Sequence, residues 1–288
     1  MNDSQVETRV SVRHTLDRSA LDDGPTAGLR GQLLAVQTLW WREVVRFVRQ
    51  RNRVTSAFAQ PLVFWLLLGG GLNASFRPPG GNNGPSYMTY FYPGVIALVL
   101  LFTAIFATIA VVEDRQAGFL QGVLVAPVSR GAIVAGQALG CTTLALLEGT
   151  LFLLLAPFAG IKLSVLAVGV VLVMQFLVAF GLTNLGLIIA WRMDSTQGFH
   201  AIMNLILLPI WLLSGALFPS AGTSPVLRWI MTFNPLTYGV AALRWALYLG
   251  EPSAIAPGPP IGLSIVIMLA FCIGTFWAAM MTAERVRQ

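Results

Sequence analysis

Long runs of apolar residues, separated by short polar stretches, limit what this chain can fold into. A helix needs about 20 consecutive apolar residues to cross roughly 30 Å of hydrocarbon, and several runs reach that length. Charged residues make up only 10% of the 288-residue chain and hydrophobic residues 56%, whereas a typical soluble domain is about 25% charged. The sequence therefore predicts an all-α membrane protein with several transmembrane helices.

The apolar runs predict six spans, at residues 56–72, 91–112, 131–156, 163–191, 198–218 and 261–281. A seventh could be drawn through 225–249, inside an outer helical segment at 219–250. Asn234-Pro235 argues against it, because Asn caps a helix and Pro fits the first helical turn. We expect two short helices there instead, lying at the outer interface or re-entering the bilayer before the last span.

Basic residues set the orientation, because cytoplasmic loops carry an excess of Lys and Arg. With both termini inside, fourteen of the eighteen basic residues lie on the inner side, and the opposite orientation reverses that count. The four outer ones are Arg77, Lys162, Arg228 and Arg244. The sequence thus predicts cytoplasmic termini and a multi-pass protein of the cytoplasmic (inner) cell membrane. The first thirty residues contain no apolar run, so the sequence does not predict a cleaved signal peptide.

The N-terminal part divides into two segments before the transmembrane domain at 55–288. Residues 1–27 are polar, lack periodicity and are expected to be a disordered cytoplasmic tail. Residues 28–54 predict an amphipathic helix in the membrane plane, with arginines toward headgroups and tryptophans at the boundary. A basic cluster that merely orients the first span is the alternative. The apolar face holds Leu33, Val36, Trp40, Val44, Phe47 and Val48, Trp41 lies beside it, and the opposite face holds Arg42, Arg46, Arg49 and Arg53.

A charged segment, EDRQAGFLQGVLVAPVSR, separates the second and third spans at residues 113–130. The spacing predicts a short helix over 114–126, ended by Pro127, and Ser129 is placed to cap the next span. Such a helix either docks into a groove on another protein or rests on the protein's own span ends, and the residues leave both open. Its apolar face comprises Phe119, Leu120, Val123 and Leu124.

Two segments carry a resemblance to a known family. The first resembles the cytoplasmic loop of ABC-2 type exporter permeases, particularly the daunorubicin-resistance and nodulation-factor exporter subgroup. The segment NPLTYGVAALR at 234–244 is similar to the outer segment of the same subgroup, and the resemblance covers 29–288. The matching positions are Glu113, Asp114, Arg115, Gly118, Phe119, Leu120, Leu124, Ala126, Pro127, Ser129 and Arg130, then Asn234, Pro235, Tyr238 and Arg244.

The resemblance implies that 113–130 contains a coupling helix that sits in a cleft of a separate ABC ATPase. Two ATPase subunits would bind ATP and Mg and would drive a hydrophobic or amphipathic substrate, such as a drug, lipid or glycolipid, outward. The pathway would form from two copies of this chain or from one copy and a related permease. Gly122 departs from the pattern, because many relatives carry an acidic residue there.

The sequence offers little for chemistry within this chain. No G-x-x-x-x-G-K-[ST] motif occurs to cradle ATP phosphates, and the two histidines, His14 and His200, are far apart. We therefore expect no catalytic residues, no metal, no cofactor and no nucleic-acid partner, although membrane lipids contact the protein. An ion-coupled secondary transporter, using Glu148 and Asp194, and a non-transporting membrane scaffold are the alternative functions.

Two features inside the third span are candidates for a pathway or for helix packing. Glu148 is an acid well inside an apolar run, where a carboxylate is costly and marks a functional candidate. It could equally be hydrogen-bonded to a neighbouring helix or lie near the outer end of the span. Ala132, Gly136 and Gly140 form a small-xxx-small series that permits close helix packing.

Overall fold

The computed structural model describes residues 28–49, 51–72, 86–125, 128–219, 223–249 and 258–285, and the regular elements in these ranges are all helical. The expected tail at 1–27 lies outside the described residues, as do Ala126, Pro127 and the side chains of Arg53 and Leu124. A 3₁₀ turn covers Ala156–Ala159. The α-helices are α1 Leu29–Arg49, α2 Arg51–Gly71, α3 Tyr87–Ala107, α4 Ile109–Gln116, α5 Phe119–Val125, α6 Arg130–Leu153, α7 Val165–Ala190, α8 Thr196–Leu212, α9 Pro225–Phe233, α10 Pro235–Leu247 and α11 Ile261–Arg285.

Helix α3 is the centre of the molecule. It contacts α2, α6, α7, α8 and α10, and almost all of its side chains are buried. A helix that is hydrophobic all round suits such a position. Thr108 separates α3 from α4, and its hydroxyl donates a hydrogen bond to the Ile105 carbonyl at 2.7 Å. The two helices together form one long segment.

Four segments of the described chain are long and apolar enough to cross a membrane: Tyr87–Gln116, Arg130–Leu153, Val165–Ala190 and Ile261–Arg285. Each overlaps an expected span. The other two expected spans, at 56–72 and 198–218, correspond to shorter apolar helices, Ala59–Gly71 and Thr196–Leu212. The presence of four spans is thus supported by length and composition, while the six-span count and the side on which the termini lie stay predictions.

The helical bundle has two ends, which are distinguished by their contacts. At the end formed by α4 and α5, here the α5 end, Arg115 contacts the chain between α7 and α8. At the opposite end, Thr89 donates a hydrogen bond to the Ala159 carbonyl at 2.9 Å, and Tyr248 donates to the Thr89 carbonyl at 2.6 Å. Helix α8 runs from the first end to the second although it has only 17 residues.

Two helix starts confirm expectations from the sequence. Ser129 caps α6, and its hydroxyl accepts the Ala132 backbone N–H at 3.2 Å. Asn234 caps α10, with Pro235 in the first turn, and its side chain accepts the Leu236 N–H at 3.0 Å. The outer segment is therefore two short helices, α9 and α10, and no single helix runs through 225–249.

The expected helix over 114–126 is wrong in its boundaries. Residues 114–116 belong to α4, which continues the second long segment, and α5 begins only at Phe119. Between them the Gly118 N–H bonds to the Arg115 carbonyl at 3.0 Å, and Gly118 has a φ of 73°. A left-handed residue at this point ends α4 and redirects the chain, and glycine adopts that conformation without strain.

Candidate functional site

Asp114 is the centre of an ion-pair network at the α5 end. Its carboxylate is almost fully buried and accepts two hydrogen bonds from Arg42, both at 2.6 Å, in a bidentate arrangement. Arg46 donates to the same carboxylate at 3.0 Å and also pairs with Glu113. Bidentate pairs between a guanidinium and a carboxylate fix geometry as well as charge, so this network holds α1 against the end of α4.

Arg42 joins three helices at one point. While its guanidinium pairs with Asp114 on α4, its central carbon lies 4.0 Å from the centroid of the Phe119 ring on α5. The hydrogen bond that Arg42 donates to Asp114 is the main cause that raises the pKa of Arg42 above its ordinary value, so the guanidinium stays charged. A cation over an aromatic face is attracted by the ring quadrupole, and α5 is therefore tied to α1.

Arg115 makes the second connection from this end. Its guanidinium pairs with the Asp194 carboxylate at 2.9 Å and donates to the backbone carbonyls of Met193, at 3.3 Å, and Trp191. The neighbouring Gln116 amide donates to the Asp194 carbonyl at 2.8 Å. The end of α4 is thus joined to the turn between α7 and α8 as well as to α1.

The apolar side chains of α5 divide between two environments. Leu120 is 2% exposed and Val123 is half-buried, and both pack against the main hydrophobic core. Phe119 is 44% exposed, and a Cβ added at Gly122 would meet no atom within 4 Å. Contact with the protein's own helices therefore accounts for Leu120 and Val123, while Phe119 and Gly122 face outward.

Helix α1 packs along α6 in the same direction. Gln32 accepts the Ser129 N–H at 3.0 Å, and Phe47 clusters with Leu144. In between, the two glycines of the small-xxx-small series receive α1. A Cβ on Gly136 would lie 2.8 Å from the Leu39 Cβ, and one on Gly140 would lie 2.7 Å from the Glu43 Cβ. The two glycines thus provide the groove that accommodates α1.

The membrane-plane orientation expected for residues 28–54 stays a prediction, and within the protein α1 lies along α6. The contacts advance together along α1 and α6, and α6 is itself a candidate span, so α1 follows the direction of a span. The reason is a contact face that the arginine pattern hid: Leu39, Glu43 and Phe47 are buried, whereas Leu33 and Val48 are exposed.

Several polar residues of α1 have partners within the protein. The Trp40 indole donates to the Thr143 hydroxyl at 3.0 Å, and Arg42 and Arg46 face acids of α4. Trp41 and Arg49 remain exposed at the surface and are available to headgroups. A lipid contact of Trp41 and Arg49 stays a prediction.

Glu148 lies in the core, between α3 and α6. It is 1% exposed, and its carboxylate accepts a hydrogen bond from the Thr103 hydroxyl on α3. At the next residue, the Gln175 amide of α7 donates to the Gly149 carbonyl at 3.3 Å. The geometry favours the packing interpretation of Glu148, because the surrounding helices of this chain enclose it.

The outer segment brings its four matched residues to the opposite end. The Asn234 amide donates to the Ile210 carbonyl of α8 at 2.6 Å, and the Tyr238 hydroxyl donates to the Thr232 carbonyl at 2.9 Å. Pro235 starts α10, and Arg244, near its end, is buried. No local sequence pattern marks Gln32, Leu39, Glu43 or Thr103, because their roles depend on contacts distant in sequence.

These features define a multi-span helical membrane protein whose α5 end is joined by ion pairs to α1 and to the turn between α7 and α8. Residues 34–248 match the family of ABC-2 type transporters, so the chain belongs to this family and is a membrane transport permease.

Several relatives support this assignment along most of their length. The chain is 29% identical to the putative transport permease ycf38 of Cyanophora paradoxa over 208 residues, which are 71% of each protein. It is 27% identical to nodulation protein J of Rhizobium leguminosarum bv. viciae over 219 residues, 75% of this chain and 83% of the relative. With the same protein of Neorhizobium galegae the identity is 26% over 237 residues, 79% of this chain and 84% of the relative.

Proposed function

We propose that this chain is the permease subunit of an ATP-driven exporter, which moves a hydrophobic or amphipathic molecule such as a drug, lipid or glycolipid outward across the cytoplasmic membrane. Six helices cross the bilayer in this proposal, and both termini are cytoplasmic. Helix α8 supports this count because it connects the two ends of the bundle. At about 1.5 Å per residue its 17 residues extend close to 26 Å.

The energy source is a separate ABC ATPase that binds ATP and Mg. Two ATPase subunits act with two permease chains, either two copies of this chain or one copy and a related partner. The family supports an ATPase partner, and the basic side chains at the α5 end agree with a cytoplasmic location under the positive-inside rule.

Coupling in this proposal proceeds through α5. An ATPase cleft grips the exposed Phe119 side, and its closure displaces α5. Because Arg42 lies against both Phe119 and Asp114, the displacement reaches α1 and α4 together, and Arg115 passes it to the turn between α7 and α8. Closely packed helices respond as rigid bodies, so a small movement at α5 shifts several spans.

The observation that carries the proposal is Phe119, an aromatic side chain held in place by Arg42 yet 44% exposed at the end of the bundle. Burying a large apolar side chain is worth roughly 1.5–3 kcal/mol. We expect Phe119→Ala to weaken association with the cognate ATPase about tenfold or more and to reduce transport, with normal abundance in the membrane. Co-purification and vesicle transport measure both effects.

Phe158 provides the matched control, because it is 78% exposed in the 3₁₀ turn near the opposite end. Phe158→Ala should leave both ATPase association and transport unchanged. Full association and full transport in Phe119→Ala would contradict the coupling role of α5. ATP depletion with the ion gradient held separates this function from an ion-coupled transporter, and cargo-stimulated hydrolysis separates it from a scaffold.

A further inference from the structure

Arg244 is a buried cation at the end of the bundle opposite α5. It lies in the last turn of α10 and is 5% exposed. Within the described residues it takes part in no ion pair, unlike Arg42, Arg46 and Arg115. Burying an ion costs several kcal/mol unless opposite charge or hydrogen bonds compensate it.

The neighbours of Arg244 compensate its charge only in part. One terminal nitrogen, Nη2, donates to the Gly215 carbonyl at 3.2 Å, and the guanidinium lies 4.5 Å from the centroid of the Tyr90 ring. The Tyr90 hydroxyl donates to the same Gly215 carbonyl, also at 3.2 Å. The Nε–H of Arg244 is buried and has no acceptor in the part of the chain that the structure describes.

A small cavity of about 20 Å³ borders this arginine. Such a volume admits one atom the size of a water oxygen. The walls come from the turn after α8, from α10 and from the chain before α11, so the cavity lies at the opposite end of the bundle. Its lining includes Ser214, Gly215, Thr237, Ala241, Arg244 and Gly258.

We propose that Arg244 and this cavity bind one anionic oxygen of a phosphate or carboxylate group on an amphipathic molecule. A structural role for Arg244 explains the bond from Nη2 to the Gly215 turn. It leaves a buried charge and an unsatisfied N–H on a residue that lines an oxygen-sized space. An anionic oxygen satisfies both, since guanidinium groups match phosphate and carboxylate geometry. The inference rests on the proposed export function and deepens it, because it adds an anionic group to the cargo class.

A binding experiment on the purified permease alone tests this site, so a negative result leaves export itself untouched. Dihexanoyl phosphatidic acid is titrated into the chain in a neutral detergent, with dihexanoyl phosphatidylcholine and inorganic phosphate as separate arms. Binding is measured by thermophoresis and by the shift in Tm. We expect the phosphatidic acid to bind more tightly than the phosphatidylcholine, and its Kd to rise about tenfold or more in Arg244→Gln.

Two further variants keep the test decisive. Arg228→Gln removes an exposed arginine of α9 near the same end and should leave the Kd unchanged. Ala241→Val narrows the cavity without touching the charge and should weaken binding even if Arg244→Gln fails to fold. A phosphate effect as large as that of phosphatidic acid, and lost in Arg244→Gln, supports the anion site and assigns it to a free anion. Equal binding of both lipids, or wild-type binding in both Arg244→Gln and Ala241→Val, overturns the inference.

Discussion

At the scale of single residues, Asp114 is enclosed whereas Glu113 and Asp194 are not. Its side chain is 6% exposed and faces two arginines, whereas the Asp194 side chain is 87% exposed and pairs with Arg115 alone. Asp114→Asn removes the charge and leaves Arg42 and Arg46 opposite a neutral amide. Because hydrogen bonds to charged groups are worth about 1.5–3 kcal/mol, we expect the free energy of unfolding to fall by about that amount.

Thermal unfolding of purified protein in detergent measures this loss. Asp194→Asn is the matched variant, because an exposed ion pair contributes only about 0–1 kcal/mol. Equal stability of the two variants would show that the Asp114 network does not hold α1 to α4. A larger loss of stability for Asp114→Asn, with ATPase binding by α5 unchanged, would show that the network stabilises the fold and is not needed for ATPase binding.

At the scale of elements, the contact of α1 with α6 depends on two glycines. An added Cβ at Gly136 or Gly140 would approach α1 to within 2.8 Å or 2.7 Å, closer than packed carbons tolerate. We expect Gly136→Ala/Gly140→Ala to move α1 away from α6, since overpacking costs typically about 1–3 kcal/mol. The measurement is the yield of a disulfide between cysteines placed at Gln32 and Ser129, with Cys141 and Cys272 replaced by alanine.

Gly274→Ala controls for the loss of a helical glycine, because a Cβ there would meet nothing within 4 Å. It should leave the cross-link unchanged and stabilise α11 by roughly 0.5–1 kcal/mol. An undiminished cross-link in the double α6 variant would mean that α1 is held by its ion pairs alone.

Local patterns predicted the helices better than they predicted their partners. Apolar length located the long segments, and the Ser129 and Asn234 caps were visible because capping needs only residues a few positions apart. The partner of α1 was not visible. The side of α1 that contacts α6 includes Glu43, which is an acid and so does not belong to the apolar face predicted from the sequence. The glycines that receive this side, Gly136 and Gly140, lie about a hundred positions away in the sequence.

The candidate site shows the same division. The sequence singled out Phe119 and Leu120 equally, since both belong to the apolar face of one short helix. Only the packing separates them, because Leu120 meets the protein's own core while Phe119 lies under Arg42 and open to a partner. The turn at Gly118 could not be predicted from helical periodicity either, because the periodic pattern continues through the point where the backbone changes direction.

At the scale of the whole molecule, the proposed function needs the two ends of the bundle to lie on opposite sides of the membrane. The α5 end carries the ion pairs and the exposed Phe119, and the opposite end carries buried Arg244 and its cavity. If α3 with α4, α6 and α7 cross successively, each reverses the direction of the one before. The sides of Lys162, between α6 and α7, and of Gly122, in α5, are then fixed relative to each other.

Cysteine labelling in intact cells tests this arrangement. Lys162→Cys and Arg228→Cys should react with an impermeant thiol reagent added outside, whereas Gly122→Cys and Asp194→Cys should react only after permeabilisation. The native Cys141 and Cys272 are buried, so background labelling is expected to be low, and the unsubstituted chain provides that control.

The expected sides follow from the excess of arginines at the α5 end and in the N-terminal segment, because segments rich in arginine stay in the cytoplasm. Outside labelling of Gly122→Cys would show that α5 faces the outside of the cell. The orientation would then be the reverse of the one proposed, and α5 could not contact an ATPase in the cytoplasm. Outside labelling of a cysteine at Gln288 would instead place the C-terminus outside and contradict the six-span arrangement with both termini in the cytoplasm.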